Sequence, residues 1–293
     1  MPKTPLVQPK PLSLNEKWFV GIVLLGSIVL NIVVDILFGT PINAHALWPH
    51  LPGWWMLVYP LVTFVCVHES TSAVTLYLHR CQTHRSIRFH PAVEFFERTK
   101  LWLLTGMVTK QWVAVHRKHH AFVDAEGDPH SPALFGIWRI VLLGTKYYHH
   151  EAHNQATLDQ YGRGTPDDRI ERWLFSPLSL LGPVVTLVLN LWFFGTWGLS
   201  MWLVEMAWIP LFAAGVINGL GHWWGVRNFN TPDNSRNLPG KIWSLVTCGE
   251  SLHNNHHHKQ NSPNFAMLAG EIDPGYWHFC FWRSLGLAYA RET

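Results

Sequence analysis

Four long apolar stretches interrupt an otherwise polar chain, and they are arranged as two closely spaced pairs. The first pair covers residues 18–38 and 54–78, and the second covers residues 178–197 and 201–223. Each stretch is near the roughly 20 apolar residues that an α-helix needs to cross a hydrocarbon core of about 30 Å. The pattern predicts an all-α integral membrane protein with four transmembrane helices in two hairpins.

The first stretch has a second interpretation, a cleaved signal peptide. Lys3, Lys10 and Lys17 precede it, and the segment Ala44-His45-Ala46 resembles a cleavage site. The apolar run of about 21 residues is longer than the roughly 7–15 residues of a signal peptide's hydrophobic region. We therefore interpret it as a retained span.

The positively charged residues lie outside the apolar stretches and outside the loops that connect each pair. All 22 Lys and Arg residues lie in the N-terminus, in residues 79–172 or in residues 224–293. None lies in a predicted span or in the connecting loops 39–53 and 198–200. The positive-inside rule places the three charged segments, and with them both termini, in the cytoplasm. We expect the two longer charged segments to form a helical cap on that side of the membrane.

Two further segments mix apolar with basic residues, and the apolar runs within them are too short and too charged to span. We expect residues 93–112 and 134–150 to lie along the membrane surface, as amphipathic helices do. No internal repeat or low-complexity linker divides the sequence. Residues 1–293 are therefore predicted to form one domain.

The composition narrows the class of protein. Asp, Glu, Lys and Arg make up 14% of the chain, against about 25% in a typical soluble domain. The net charge of +3 is small and no basic tract is present, so we expect no nucleic-acid partner. The four cysteines are scattered without a CxxC pair, and we interpret them as free thiols.

Most of the 19 histidines are grouped in short motifs near the predicted span ends. The groups are HRCQTH with His79 and His84, HRKHH with His116, His119 and His120, and HNNHH with His253, His256 and His257, while His222 closes the fourth span four residues after Asn218. Seven of the ten histidines outside these groups are interpreted as ordinary surface or core residues; they are His45, His50, His90, His149, His150, His153 and His278.

The spacing of the motifs indicates metal binding. Residues three and four apart on an α-helix share a face, so each HxxHH motif is expected to direct its three imidazoles at one spot. Imidazole is the commonest metal ligand among side chains. Eight or nine imidazoles exceed the four ligands that a zinc ion takes, so we predict two metal ions. The residue types alone leave zinc, copper, iron and nickel open.

The ordered set of motifs resembles the membrane-bound fatty acyl desaturases, and within them the Δ9, stearoyl-CoA-desaturase-like branch in its bacterial form. The resemblance extends from about residue 60 to residue 290 and includes further segments beside the histidine motifs. These are the DPHSP segment from Asp128, the NGLGH segment from Asn218, the SRN segment from Ser235 and the CGESLHNNHH segment from Cys248.

The resemblance implies a di-iron centre of two Fe²⁺ ions held by nine histidines. Carried over position by position, they are His79, His84, His116, His119, His120, His222, His253, His256 and His257. Asn218 matches a position that contacts the metal through water. The implied reaction is O₂-dependent insertion of a cis double bond, at Δ9, into a saturated acyl chain.

The acyl carrier is left open between CoA and a membrane phospholipid. In the segment where the CoA-using relatives carry a basic pair, this chain has only Lys146 as a permanent cation, and we expect Glu151 to oppose its charge. A polyanionic CoA headgroup favours Lys and Arg. The resemblance also implies a separate electron donor, a ferredoxin-like carrier or another reductase system. The expected location is the bacterial inner membrane, with the metal site facing the cytoplasm.

Four other residues are candidates for supporting roles. Asp124, Asp128 and Glu250 are expected either to hold imidazole tautomers or to be surface charges and helix caps. Trp112, four residues before His116, is expected either to line a substrate tunnel or to pack at the membrane interface.

Two other functions compete with desaturation. A related di-iron hydroxylase acting on a fatty acid or an alkane could use the same ligands. A metal transporter or sensor is more remote, because transport needs polar ligands at mid-membrane depth. We predict that the mid-span positions are apolar and that the histidines lie at the cytoplasmic ends of the spans.

Overall fold

The computed structural model describes residues 11–38 and 57–291, which are mostly helical. In chain order the α-helices are α1 (Leu14–Phe38), α2 (Val58–Ala73), α3 (Pro91–Thr105), α4 (Thr109–Phe122), α5 (Pro132–Phe135), α6 (Ile137–Ala152), α7 (Gln155–Tyr161), α8 (Leu181–Phe194), α9 (Trp197–Ile209), α10 (Lys241–Val246), α11 (His253–His258) and α12 (Pro274–Ser284). Three π-helices cover Val74–Thr83, Glu171–Phe175 and Pro210–Ile217, and a 3₁₀-helix covers Leu220–His222. The predicted loop 39–53 lies outside the described residues.

Three helices in the described part of the chain are long and apolar enough to cross a membrane. They are Leu14–Val34, Val58–Thr83 and Trp197–His222. The predicted third span is represented by α8, which has 14 residues. At 1.5 Å per residue α8 is about 21 Å long, which is shorter than the roughly 30 Å hydrocarbon core. The chain is thus supported as a membrane protein, while the count of four spans stays a prediction.

The turn of the second hairpin lies earlier than predicted. Residues 198–200 were expected to form the loop, but α9 already begins at Trp197. The turn falls at Gly195, whose φ of 62° is a left-handed conformation that glycine adopts readily. Gly198 then lies so close to the backbone of Asn190 that a Cβ there would stand 2.2 Å from its carbonyl oxygen. The close approach of α8 and α9 therefore requires a glycine at position 198.

The expectation of apolar mid-span positions is wrong at this hairpin. Glu205 on α9 and Asn190 on α8 are both buried, and the Asn190 amide donates a hydrogen bond of 2.9 Å to the Glu205 carboxyl group. Inside a membrane helix pair, such a bond compensates two polar groups that would otherwise lack partners.

The second apolar helix extends past its predicted end at residue 78. The α2 helix continues directly into the π-helix Val74–Thr83, which includes Arg80. That guanidinium is fully buried, 2.9 Å from the Asp273 carboxylate and 4.0 Å from the ring centre of Phe265. A cation fits in this helix because Asp273 neutralises its charge.

The remaining elements connect the apolar helices to the polar part of the chain. Residues 93–112, expected as one surface segment, form α3 and the start of α4 with a break between them, and α3 packs against α2 and α8. The α6 helix, which contains most of residues 134–150, packs against the π-helix Pro210–Ile217. Strands Ile87–Phe89 and Ala288–Ala290 pair in antiparallel register and attach the C-terminal segment beside the HRCQTH motif.

Candidate metal centre

The structure brings all nine predicted histidines together, in two buried groups. Within each group, one potential ligand atom per residue lies within 4.8 Å of the others. The five-histidine cluster contains His79, His84, His116, His120 and His256. The four-histidine cluster contains His119, His222, His253 and His257.

Each HxxHH motif is divided between the two clusters, so the expectation that its three imidazoles meet at one spot is wrong. On α4, His116 and His120 join the five-histidine cluster, whereas His119 joins the other. Successive residues on an α-helix are about 100° apart. His119 therefore lies on a different side of α4 from its neighbour His120. The α11 helix is divided in the same way, with His256 on one side and the pair four residues apart, His253 and His257, on the other.

A π-helix explains the unusual five-residue spacing of the first motif. On an α-helix, residues five apart point about 140° away from each other. Here the backbone N–H of His84 donates to the carbonyl of His79 at 3.0 Å, which is the i→i+5 bond of a π-helix. The two imidazole rings consequently lie 4.9 Å apart, centre to centre.

The distances between imidazole nitrogens fit metal coordination. The Nε2 atoms of His79 and His256 are 3.1 Å apart, and those of His222 and His253 are 2.9 Å apart. Two nitrogens bound at about 2.1 Å and at right angles to one metal would be about 3.0 Å apart. In the described part of the chain, three other buried Nε2 atoms have no hydrogen-bond partner, those of His84, His119 and His257. A metal ion would satisfy these lone pairs, so the residues present fit the implied centre.

The local environment keeps most of these imidazoles neutral, which is the form that binds metal. Burial lowers the pKa of His257 to about 4, although the Asp233 carboxylate opposes the shift. Burial also lowers the pKa of five further cluster imidazoles well below the usual value of histidine; these are His84, His116, His120, His253 and His256.

Each of the three predicted carboxylates contacts a cluster histidine through its Nδ1 atom. The distances are 2.8 Å from His79 to Glu250, 3.0 Å from His119 to Asp128 and 2.9 Å from His222 to Asp124. A proton on Nδ1 would leave the Nε2 lone pair free for a metal. Burial raises the pKa of Asp128, but the adjacent His119 outweighs it and brings the pKa to about 2.

A fourth carboxylate, Asp233, was not found by sequence reasoning. It lies 3.0 Å from His257 Nδ1 and accepts hydrogen bonds from the Ser235 backbone and hydroxyl groups. Although its burial opposes the charged form, the His257 contact holds the Asp233 pKa far below its usual value. The sequence offered one signal for Asp233, its place two residues before the SRN segment. An isolated Asp in a loop has no spacing that indicates a function.

A cavity of about 60 Å³ lies between the two clusters, lined by His79 and His116 from one and His253 from the other. Trp112 is part of its wall and stacks on His116 with ring centres 4.7 Å apart. Asn218 also lines the cavity. Asn218 and His222 do not lie on one α-helix, because a π-helix ends at Ile217 and a 3₁₀-helix begins at Leu220.

His130, which no motif singled out, is also buried in this region. It lines the same cavity, and its ring stacks on His119 with centres 4.5 Å apart. With His119 and Asp128 it forms a third group of potential metal ligands. Its place in the DPHSP segment, two residues after Asp128, was the available signal.

The other histidines lie apart from the clusters or outside the described residues. His90 accepts a hydrogen bond from the Ala92 backbone and so caps α3. His278 lies 2.9 Å from His68, Nε2 to Nε2, beside a separate apolar pocket. His45 and His50 fall outside the described residues.

Comparison with known proteins gives a consistent result. The family model for fatty acid desaturase matches residues 52–267. Delta-9 desaturase-like 1 protein of Arabidopsis thaliana is 31% identical, over 74% of this chain and 71% of the relative. Delta-9 acyl-lipid desaturase 2 of the same plant is 29% identical, over 86% and 80%. The sn-1 stearoyl-lipid 9-desaturase of Synechocystis sp. is 29% identical, over 86% and 78%.

Proposed function

The chain belongs to the fatty acid desaturase family, and we propose that it inserts a cis double bond at the Δ9 position of a saturated acyl chain with two iron ions and O₂. Membership, shown by the match over residues 52–267, makes the protein an oxidoreductase that desaturates fatty acyl chains. The position of the double bond, the iron, the acyl carrier and the electron donor are the proposed parts.

The observation that carries the proposal is the division of nine buried or half-buried histidines into groups of five and four. Each group gathers imidazoles from at least three separate segments of the chain, and their nitrogens have the spacing of metal ligands. Bound there, two iron ions would supply, with O₂, the oxidising chemistry that breaks unactivated methylene C–H bonds, which acid–base groups cannot do.

The surrounding residues have distinct tasks in this scheme. Glu250, Asp124, Asp128 and Asp233 accept the Nδ1 protons of their histidines and so orient the Nε2 lone pairs toward the metal positions. Trp112 and the apolar residues of the cavity wall exclude water and hold two adjacent methylenes beside the clusters. Asn218 positions a water molecule at the same cavity.

We propose a membrane phospholipid as the acyl carrier. The named relatives include acyl-lipid and stearoyl-lipid desaturases. We expected Glu151 to oppose the charge of Lys146, and this is wrong. Glu151 is buried and pairs with Lys118 at 2.8 Å. Lys146 nevertheless remains the only Lys or Arg in residues 146–154. One cation attracts a polyanionic CoA headgroup less than the basic pair of the CoA-using relatives would, which favours a phospholipid.

The remaining parts concern the partners and the location. Electrons come from a separate carrier, ferredoxin-like or another reductase system. The protein lies in the bacterial inner membrane through four spans, with both termini and the metal centre in the cytoplasm. The one-sided distribution of Lys and Arg supports this orientation.

Expression in a host that lacks desaturases tests the proposal. Mass spectrometry of the fatty acids should find new monoenes with a Δ9 cis double bond in the phospholipid fraction. The same host with His256→Ala serves as the control and should produce none. Hydroxylated fatty acids in place of monoenes would instead favour the hydroxylase. Unchanged fatty acids, despite a full iron content and a working electron donor, would contradict the proposal.

A further inference from the structure

His130 is a buried imidazole without a hydrogen-bonded role in the described part of the chain. Its side chain is almost inaccessible, and its Nδ1 atom has no partner among the described residues. A buried polar atom without a partner is costly, and in native proteins it usually indicates a water, an ion or a ligand at that point.

The nearest carboxylate does not provide the missing partner. Asp128 lies 3.9 Å from the His130 Nδ1 atom, which is beyond hydrogen-bond distance. Both Asp128 oxygens are already occupied. They contact the His119 ring, the backbone N–H of Asp124 and the backbone N–H of His130 itself. The His130 ring is therefore held by its backbone and by stacking on His119, and its Nδ1 atom has no partner among the described residues.

The location of His130 indicates which group its Nδ1 atom could bind. A ring nitrogen of His130 lies within 4.8 Å of a ring nitrogen of His119, a member of the four-histidine cluster. His130 also shares the wall of the 60 Å³ cavity with Asn218 and His253. The four-histidine cluster has one imidazole fewer than the other cluster, so a metal there has more room for a ligand that is not protein.

We propose that His130 is a positioning residue whose imidazole hydrogen-bonds the non-protein ligand, a water or a small anion, of the metal ion in the four-histidine cluster. This inference rests on the proposed metal centre. His130 acts from the cavity wall beside Asn218, so that two side chains hold the ligand from different segments. It adds a tenth histidine to the site without making it a metal ligand.

Azide, a small anion that binds open positions on iron, is the probe for this role. The iron-loaded full chain in detergent is oxidised to the Fe³⁺ form and titrated with azide, whose binding is followed by visible absorption, and its iron content is measured in parallel. His130→Phe should keep two irons per chain and bind azide about tenfold more weakly, the effect of one hydrogen bond to a charged ligand. His130→Asn, which retains an N–H donor, should bind azide more tightly than His130→Phe. His150→Phe, the same change at an exposed histidine of α6, should match the unaltered protein.

Three outcomes would overturn the inference in different ways. Unchanged azide affinity in His130→Phe at full iron content would show that no such hydrogen bond exists. Loss of one iron in His130→Phe would make His130 a metal ligand instead of a positioning residue. Absence of iron from the unaltered protein would refute the proposed metal centre itself, and this proposal with it.

A second variant keeps the test available if His130→Phe fails to fold. His130→Leu has a smaller side chain that also lacks an N–H donor, and it gives the same comparison.

Discussion

The two histidine clusters differ in how their imidazoles are supported. Among the described residues, His79 is the one member of the five-histidine cluster that contacts a carboxylate, that of Glu250. In the four-histidine cluster three of the four imidazoles do so, through Asp124, Asp128 and Asp233. The cluster with fewer ligands thus has more negative charge around it.

This difference indicates two ways to hold a divalent cation. The five-histidine cluster relies on the number of ligands, which come from the π-helix Val74–Thr83, from His84 directly after it, from α4 and from α11. The four-histidine cluster relies on carboxylates that raise the basicity of each imidazole. We therefore expect ligand deletions to be severe in both clusters, and changes to carboxylates to matter most where the ligands are fewer.

Deleting one ligand from either cluster is expected to have the largest effect. His256→Ala and His257→Ala remove adjacent histidines of α11 that belong to different clusters. Both should abolish product formation, because the reaction needs both metals. The monoene content of the expression host measures this directly. Product at the unaltered level in either variant would remove that histidine from the ligand set.

The same helix provides a matched control. His258 follows His257 but is exposed, stacks on Phe229 and belongs to neither cluster. His258→Ala should leave the monoene content unchanged. Loss of activity in this variant as well would mean that the first two results report damage to α11 and not loss of a ligand.

Changes to the carboxylates should have an intermediate effect that distinguishes the clusters. Asp233→Asn and Glu250→Gln each remove one negative charge with little change in shape. Each should weaken iron binding about 10-fold to 100-fold, with the larger loss in Asp233→Asn because its cluster has fewer ligands. Competition with a chelator at graded concentrations measures the affinity. Equal losses would contradict the proposed division between ligand number and charge.

Removing the hydroxyl groups that donate to the carboxylates should have the smallest effect on iron binding. Thr75 donates a short hydrogen bond to Glu250, and Ser235 donates one of 2.5 Å to Asp233. Thr75→Val should weaken iron binding about threefold to tenfold, the value of one net hydrogen bond. Ser235→Ala should have less effect, since Asp233 also accepts from the Thr231 hydroxyl. The chelator assay would contradict this order if Ser235→Ala had the larger effect.

The sequence predicted which histidines come together better than how they are arranged. Apolar length located α1, α2 and α9 because hydropathy is summed over many residues and tolerates errors at the ends. It misjudged α8, whose length depends on the turn at Gly195. The buried Glu205–Asn190 contact was also missed, because a polar pair is visible only when two helices are placed side by side.

Within the site, the motifs and the family resemblance identified the nine histidines but not their division. Residues three apart share a face of an ideal helix, yet α4 and α11 lie between the two clusters and contribute histidines to both. The π-helix before His84 could not be deduced from propensity, since a single i→i+5 bond depends on tertiary packing. Asp233 and His130 come from loops, where position along the chain carries little information about position in space.

Iron content is the most direct test of the central claim that the nine histidines hold two metal ions in groups of five and four. Purified full-length protein loaded with Fe²⁺ should contain two irons per chain by elemental analysis. His256→Ala and His257→Ala should each retain one, and the double variant none. A single iron in the unaltered protein, or two irons in both single variants, would contradict the account.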